Sequence, residues 1–153
     1  MDQIDKKILE ILQKRGNTTN AELGEACFIS TSQAGRRRQR LEQLGTLQRY
    51  QAKLSPKAIG LGVQAFIQVS MKAHSAEAAT EFQTLLDARP EIINLWTITG
   101  AADYLLQVYC QDLEALNDLV HHFLLRAPSV THVESQIVMN HLLKDRGLPL
   151  SQA

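Results

Sequence analysis

The chain reads as an α+β protein with two parts in series: a helix-turn-helix head carrying a strand or small β-wing, and a ferredoxin-like βαββαβ body. Three observations predict this. First, the same helix-starting signal occurs twice, Thr19 with Glu22 and Ser30 with Gln33, either side of a very short turn. Second, residues 1–60 hold 11 Lys/Arg against 6 Asp/Glu and residues 61–153 hold 5 against 10, so a basic head and an acidic body cancel to a net charge of zero. Third, beyond Gly62 the alternating and the capped, helix-periodic segments follow one another in the order βαββαβ.

In the head, Asp2 or Asp5 caps a first helix whose Ile4, Ile8, Leu9, Ile11 and Leu12 recur at helical spacing, ending near Gly16. Thr19 opens a second helix with Ala21, Leu23, Ala26 and Cys27 on one buried face. Phe28 and Ile29 make the turn. A third helix starts at Thr31 and stops at Gly45, a left-handed residue just past the helix end. Ala34, Leu41 and Leu44 form its inward stripe, and Ser32, Gln33, Arg36, Arg37 and Arg40 fall outside it. The segment TLQRYQAKL, with Leu47, Tyr50 and Leu54, reads as a strand or small β-wing. Ser55, Pro56, Gly60 and Gly62 punctuate a linker. The expected boundaries are a head over 1–53, a linker over 54–62, a body over 63–141 and a tail over 142–153.

The body follows from period and capping. Residues 63–71 place Val63, Ala65, Ile67, Val69 and Met71 on one side of a strand, with Phe66 on the other. Ser75 caps a helix from Ala76 to about Ala88, closed by Pro90. Residues 92–99 and 104–110 are apolar strands joined by a turn over Gly100 to Asp103. Asp112 caps a helix to about Arg126, Pro128 ends it, and residues 130–139 form the last strand. This order predicts an antiparallel four-stranded sheet with both helices on one face. Phe66, Trp96, Ile98, Leu105, Val108 and Ile137 are then the apolar surplus of the open face, which predicts that two sheets pack together in a dimer.

The head carries the functional signal. A cation-rich second helix after a capped partner and a tight turn is the arrangement that enters the major groove of double-stranded DNA. The predicted DNA-contacting residues are Thr31, Ser32, Gln33, Arg36, Arg37 and Arg40, with Arg49 adding a phosphate contact from the following segment. Guanidinium forks fit both phosphate oxygens and the O6/N7 edge of guanine, so the sequence leaves open which arginine meets which. A dimeric body delivers two such helices to a roughly palindromic site.

Other classes find no support. No apolar run approaches the ~20 residues of a membrane span, and the start, MDQIDKKILEIL, is an amphipathic helix rather than a secretion signal, which points to the cytoplasm and to no membrane partner. Cys27 and Cys110 lie far apart without metal-ligand spacing and read as small buried hydrophobes. His121 and His122 point about 100° apart on a helix, a poor metal clamp. No nucleophile–base pair and no phosphate loop is visible, so neither a catalytic residue, a metal nor a cofactor is predicted, and the chain is read as a non-enzyme.

Taken in order, DQIDKKILEILQ, NAEL, IST leading into RRRQRLEQLGTLQRY, LSPKAIGL, TGAADYLLQV and SVTHVESQIVM resemble the leucine-responsive/asparagine-synthesis regulator (Lrp/AsnC) family of transcription factors, over nearly the whole chain. The resemblance implies a winged helix-turn-helix head and a RAM-type ferredoxin-like body that dimerises through its sheet and assembles further, often to octamers. It also implies a small-molecule effector, commonly an amino acid, bound between subunits. Carried onto this sequence, that site is Gly100, Ala101, Ala102, Asp103 and Tyr104 with Ser135 from the last strand. Turn amides and a hydroxyl suit a carboxylate, and Asp103 suits an α-ammonium group. Phe28 stands where the family usually has Gly, Arg38 where it usually has an apolar residue, and Ala101 and Ala102 where larger side chains are frequent.

The function these readings imply is a sequence-specific DNA-binding transcriptional regulator tuned by an amino acid. The competing reading is an architectural protein that coats DNA and ignores metabolites.

Overall fold

The computed structural model describes residues 1–73, 75–143 and 146–150; the tail expected over 142–153 therefore lies outside the described residues at 144, 145 and 151–153. Two compact units form, Met1–Lys53 with the described residues after 141, and Leu54–His141.

The first unit contains α1 (Gln3–Lys14), α2 (Asn20–Cys27) and α3 (Thr31–Gln43). Each begins with a reciprocal capping box, Asp2 with Asp5, Thr19 with Glu22 and Ser30 with Gln33. The side chain at the cap accepts an orphan N–H of the first turn while the residue three on satisfies the cap's own N–H. Ile8, Leu9, Leu12, Leu23, Ala34 and Leu41 form the core, with Leu47 and Leu150 packed against it. Leu148 exchanges hydrogen bonds with the Gln13 side chain. Gly45 has φ of 69°, as its place beyond the end of α3 requires.

Three expectations for this unit are corrected. Ala21 and Ala26 are exposed, because α2 is short and inserts only Leu23 and Gly24 fully. Leu44 is also exposed, since it caps α3 rather than continuing its inward stripe. Residues 46–55 form no strand; without a partner strand to take up its backbone groups, the alternating pattern stays irregular.

The second unit opens with a 3-10 turn (Pro56–Ile59) and continues as β1 (Val63–Met71), α4 (Ala76–Leu86), β2 (Ile92–Thr97), β3 (Tyr104–Cys110), α5 (Leu113–Asn117) and β4 (Val130–Ile137). Beyond α5 the chain stays helical as a π turn (Asp118–Phe123) and a 3-10 turn (Leu124–Arg126), so the second body helix is less regular than its spacing predicts. The sheet order is β2-β3-β1-β4 with every pair antiparallel, which is the ferredoxin-like arrangement. The core lies between one sheet face and the helices, where Ile67, Val69, Leu106 and Val108 meet Phe82, Leu119 and Leu124.

Register decides the open face. Phe66 pairs with Gln107 and Gln136, Gln68 with Leu105 and Glu134, and Trp96 with Leu105. Two expected members are therefore misplaced: Val108 is wholly buried in the helix-side core, and Ile137 pairs with buried Ala65 and so points to that same side. Strand alternation allows either face, and the helices cover the one bearing Val108. What remains on the open face is an apolar strip of Phe66, Leu105, Trp96 and Tyr109 amid glutamines.

Candidate functional site

The α2–α3 junction is built by close backbone approach. The Ile29 amide donates to the Gly24 carbonyl at 2.9 Å. A Cβ on Gly24 would stand 2.8 Å from the Ile29 carbonyl oxygen, so the turn is this tight because residue 24 has no side chain. Gly35, one turn into α3, instead faces a side chain: a Cβ there would lie 3.1 Å from the Asn20 side-chain nitrogen. The residue that weakens α3 as an isolated helix thus leaves room for the Asn20 side chain. Between them runs an open groove of about 700 Å³ lined by Asn20, Thr31, Ser32, Gly35, Arg36, Arg38, Gln39 and Glu42.

The four arginines of α3 have different fates. Arg37 Nη1 donates to Asp2 Oδ2 at 2.6 Å and to Asp5 Oδ1 at 2.7 Å, and Arg40 Nη2 donates to Asp5 Oδ2 at 2.6 Å. Asp5 is 0% exposed, so both of its oxygens meet guanidinium groups inside the unit. Arg37 keeps 27% of its side chain exposed and Arg40 keeps 55%. The hydrogen bonds it donates to Asp2 and Asp5 push the Arg37 pKa up, and the Asp5 amide, then Arg37, hold the Asp2 carboxyl below the usual carboxylate range. Arg37, expected to face outward, is instead turned onto α1.

Arg38 is engaged as well. Its Nε donates to the Tyr50 hydroxyl at 2.8 Å and to Glu42 at 3.3 Å, its Nη1 reaches the Thr18 carbonyl at 2.9 Å, and its guanidinium lies 4.5 Å from the Tyr50 ring centroid. Tyr50 in turn donates to Glu42 at 2.6 Å. This network holds the segment after α3 where a strand or small β-wing was expected. Burial, then Glu42, raises the Tyr50 pKa.

Arg36 and Arg49 are exposed and make no ion pair or hydrogen bond among the described residues. Arg36, with exposed Thr31, Ser32 and Gln33, forms the outward polar surface of the junction, while Arg49 lies on the segment beyond the other end of α3. Gln33 spends its carbonyl oxygen on the Ser30 amide, which leaves its NH₂ group for other acceptors. Asp2, Asp5, Thr18, Glu42 and Tyr50 are the residues that sequence reasoning missed. The only hint of Asp5's second role was an acid at helical spacing from Ile8, Leu9 and Leu12, on the apolar face of an amphipathic helix.

In the body, the turn from Gly100 to Tyr104 is well tied. Its Gly100 has φ of 119°. The Ile98 amide donates to the Asp103 carbonyl at 2.9 Å, and the Asp103 amide to the Val69 carbonyl at 3.0 Å. Asp103 Oδ2 accepts from the Met71 amide at 2.7 Å. That carboxylate, expected to await an ammonium group, already holds the end of β1. Ala102 is buried, the Ala101 carbonyl accepts from Ser70 Oγ at 3.3 Å, and the Tyr104 ring packs tilted against Phe82, with centroids 5.2 Å apart. Ser135 pairs with Ile67 on β4, with β1 standing between it and the turn. Within one chain, five of the six predicted residues come together and Ser135 does not. Among the described residues no cluster of His, Cys, Asp or Glu is placed to hold a metal, and no helix is long and apolar enough to cross a membrane.

Comparison with known proteins finds the AsnC-type helix-turn-helix domain over residues 1–42 and the Lrp/AsnC ligand binding domain over residues 64–148. The DNA-binding transcriptional activator DecR of Escherichia coli K12 is 31% identical over 150 residues, 98% of this chain and 99% of that protein. The leucine-responsive regulatory protein of the same strain is 30% identical over 148 residues, 97% of this chain and 90% of that one. A transcriptional regulator from Neisseria meningitidis, solved as its complex with L-Met, superposes with a TM-score of 0.94 at 36% identity, covering 99% of this chain and 98% of its own.

The buried Asp5 hub is testable by thermal or denaturant unfolding. Asp5→Asn leaves two guanidiniums facing a neutral amide and is expected to cost about 3 kcal/mol, the low end for a broken buried pair because both cations keep some water. The acid side gives a second check. Folding lowers the Asp2 pKa, so its contribution is present at neutral pH and is lost as pH falls below about 4. Between pH 5 and 2 the stability of Asp2→Asn should accordingly fall less steeply than that of the parent.

Proposed function

We propose that this chain, which belongs to the Lrp/AsnC family of transcriptional regulators, binds specific sites in double-stranded DNA through α3 and adjusts that binding to a small molecule of the amino-acid class. The observation that carries the reading is the division of the arginines. Arg37 and Arg40 are spent on fixing α3 against α1, while Arg36 stands free beside Thr31, Ser32 and Gln33 and Arg49 stands free on the segment after α3. A helix locked by two of its cations presents the rest in fixed register, as base recognition requires. Arg36 reads base edges or phosphate from the groove beside Ser32, Arg49 adds phosphate contact, and Arg40 keeps one guanidinium edge for DNA. Arg37 serves to orient the helix.

The body supplies assembly and sensing. Phe66, Leu105, Trp96 and Tyr109 give the open face an apolar centre ringed by polar side chains, the composition of an interface between two copies. Dimers then join into larger assemblies, octamers among them. An amino acid carboxylate is held by the amides of Gly100, Ala101 and Ala102 beside Tyr104, and Ser135 reaches that site from another subunit, since β1 separates them in the same chain. Asp103 shapes the turn. Effector binding changes DNA affinity to the extent that it favours one assembly over another. The family is made up of regulators, and the reading assigns this chain no catalysis.

Binding of the full chain to genomic fragments at several salt concentrations, with and without an amino-acid panel that includes L-methionine, tests the whole. Strong preference for some fragments is expected; equal affinity for all of them would favour the architectural reading. Arg36→Ala and Arg49→Ala are each expected to weaken binding, and each lost phosphate contact to flatten the log–log salt slope by about 0.9. For the effector, thermal shift should report stabilisation by at least one amino acid of the panel. The exposed-lip change Ala101→Glu should abolish that shift while the unliganded melting temperature holds; an unchanged shift would remove the turn from the site.

A further inference from the structure

We infer that Phe28 is a base-contacting residue of the DNA interface, its ring packing against a thymine 5-methyl group at the edge of the major groove beside the start of α3. The inference rests on the DNA-binding reading above and adds to it a specificity residue from outside the helix.

Phe28 has φ of 56° and ψ of 42° at the end of α2, and among the described residues no other residue except glycine has a positive φ. A side chain in this left-handed conformation costs free energy that glycine would avoid. Its ring is 96% exposed, so packing within the chain does not offset the strain. The turn gives no freedom to relax. The Phe28 amide donates to the Glu25 carbonyl at 3.3 Å, the Ile29 amide bonds Gly24, and Gly24 abuts the Ile29 carbonyl. The backbone therefore fixes where the ring points, and it points into solvent.

Position supplies the occupant. Phe28 stands two residues before the Ser30 cap, and its Cα lies within about 11 Å of Thr31 by chain length alone. Helices of this class present their N-terminal residues to base edges, so the residue that leads into the helix lies at the lip of the groove. The neighbouring surface, Thr31, Ser32, Gln33 and Arg36, is polar and matches phosphates and hydrogen-bonding base edges. The thymine methyl is the apolar feature of the major-groove code, and an exposed aromatic ring is a known match for it.

Sequence selection from a randomised duplex library by the full-length protein and by Phe28→Gly tests this, followed by replacement of each selected thymine with deoxyuridine. The parent is expected to select a thymine that the variant does not. Deoxyuridine at that position should lower the parent's affinity about fourfold per buried methyl and leave the variant unaffected. Phe28→Gly should also melt at a higher temperature, because the strain is gone. Identical motifs with no deoxyuridine effect would overturn the inference. So would an unchanged motif with a smaller assembly by light scattering, which would assign the ring to a protein contact. A parent that selects no sequence and binds no duplex at low salt would fail the DNA-binding reading itself, and the inference with it.

Discussion

Everything in the helical unit depends on one buried carboxylate. Asp5 sits in the first turn of α1 with no exposed surface, and a lone charge there would be prohibitively desolvated. Its oxygens are matched by Arg37 and Arg40, two guanidiniums three positions apart on α3 and hence on one side of it. The same residue closes the capping box with Asp2. One side chain therefore sets where α1 begins, which way α3 is rotated about its axis, and which arginines are left over. Apolar packing of Ile8, Leu23 and Leu41 brings the helices together without specifying rotation so sharply; a carboxylate held by two separate guanidiniums has a direction.

Rotation then determines chemistry. With Arg37 and Arg40 turned to α1 and Arg38 clasped by Tyr50, Glu42 and Thr18, the run of arginines is mostly internal scaffolding. Arg38 takes an inward place usually suited to an apolar side chain, and its stack on Tyr50 with three polar partners makes that tolerable. The outward surface that results is small and mixed: two hydroxyls, an amide, Arg36, the exposed edge of Arg40 and, from the following segment, Arg49. Fewer free cations mean less indiscriminate attraction to phosphate and a larger share of binding left to base-edge contacts.

In the sheet unit the equivalent constraint is register. Once β1 pairs with both β3 and β4, the alternate residues of three strands are committed to the helices or to the open face. The turn at Gly100 inherits its rigidity from this pairing, since Asp103 bonds Val69 and Met71 at the end of β1. A ligand seated on the turn would thus press on the central strand of the sheet whose other face carries Phe66.

The sequence by itself determined every capped helix start, the order of strands and helices, and the identity of the family, because capping boxes, period-two alternation and motif order are local signals carried by neighbouring residues. Thr19 and Ser30 announced their helices, the first helix was open between Asp2 and Asp5 as its cap, and residues 63–71 and 104–110 announced their strands. Only the tertiary structure decided which arginines are spent on Asp5, that Tyr50 rather than a β-wing anchors the segment after α3, that Val108 and Ile137 face the helices, and that Asp103 is already engaged. Each of those depends on a partner at least twelve residues away or on which face of an alternating strand is covered. A local pattern is blind to both, since a helix wheel gives relative directions without saying which one meets the rest of the protein.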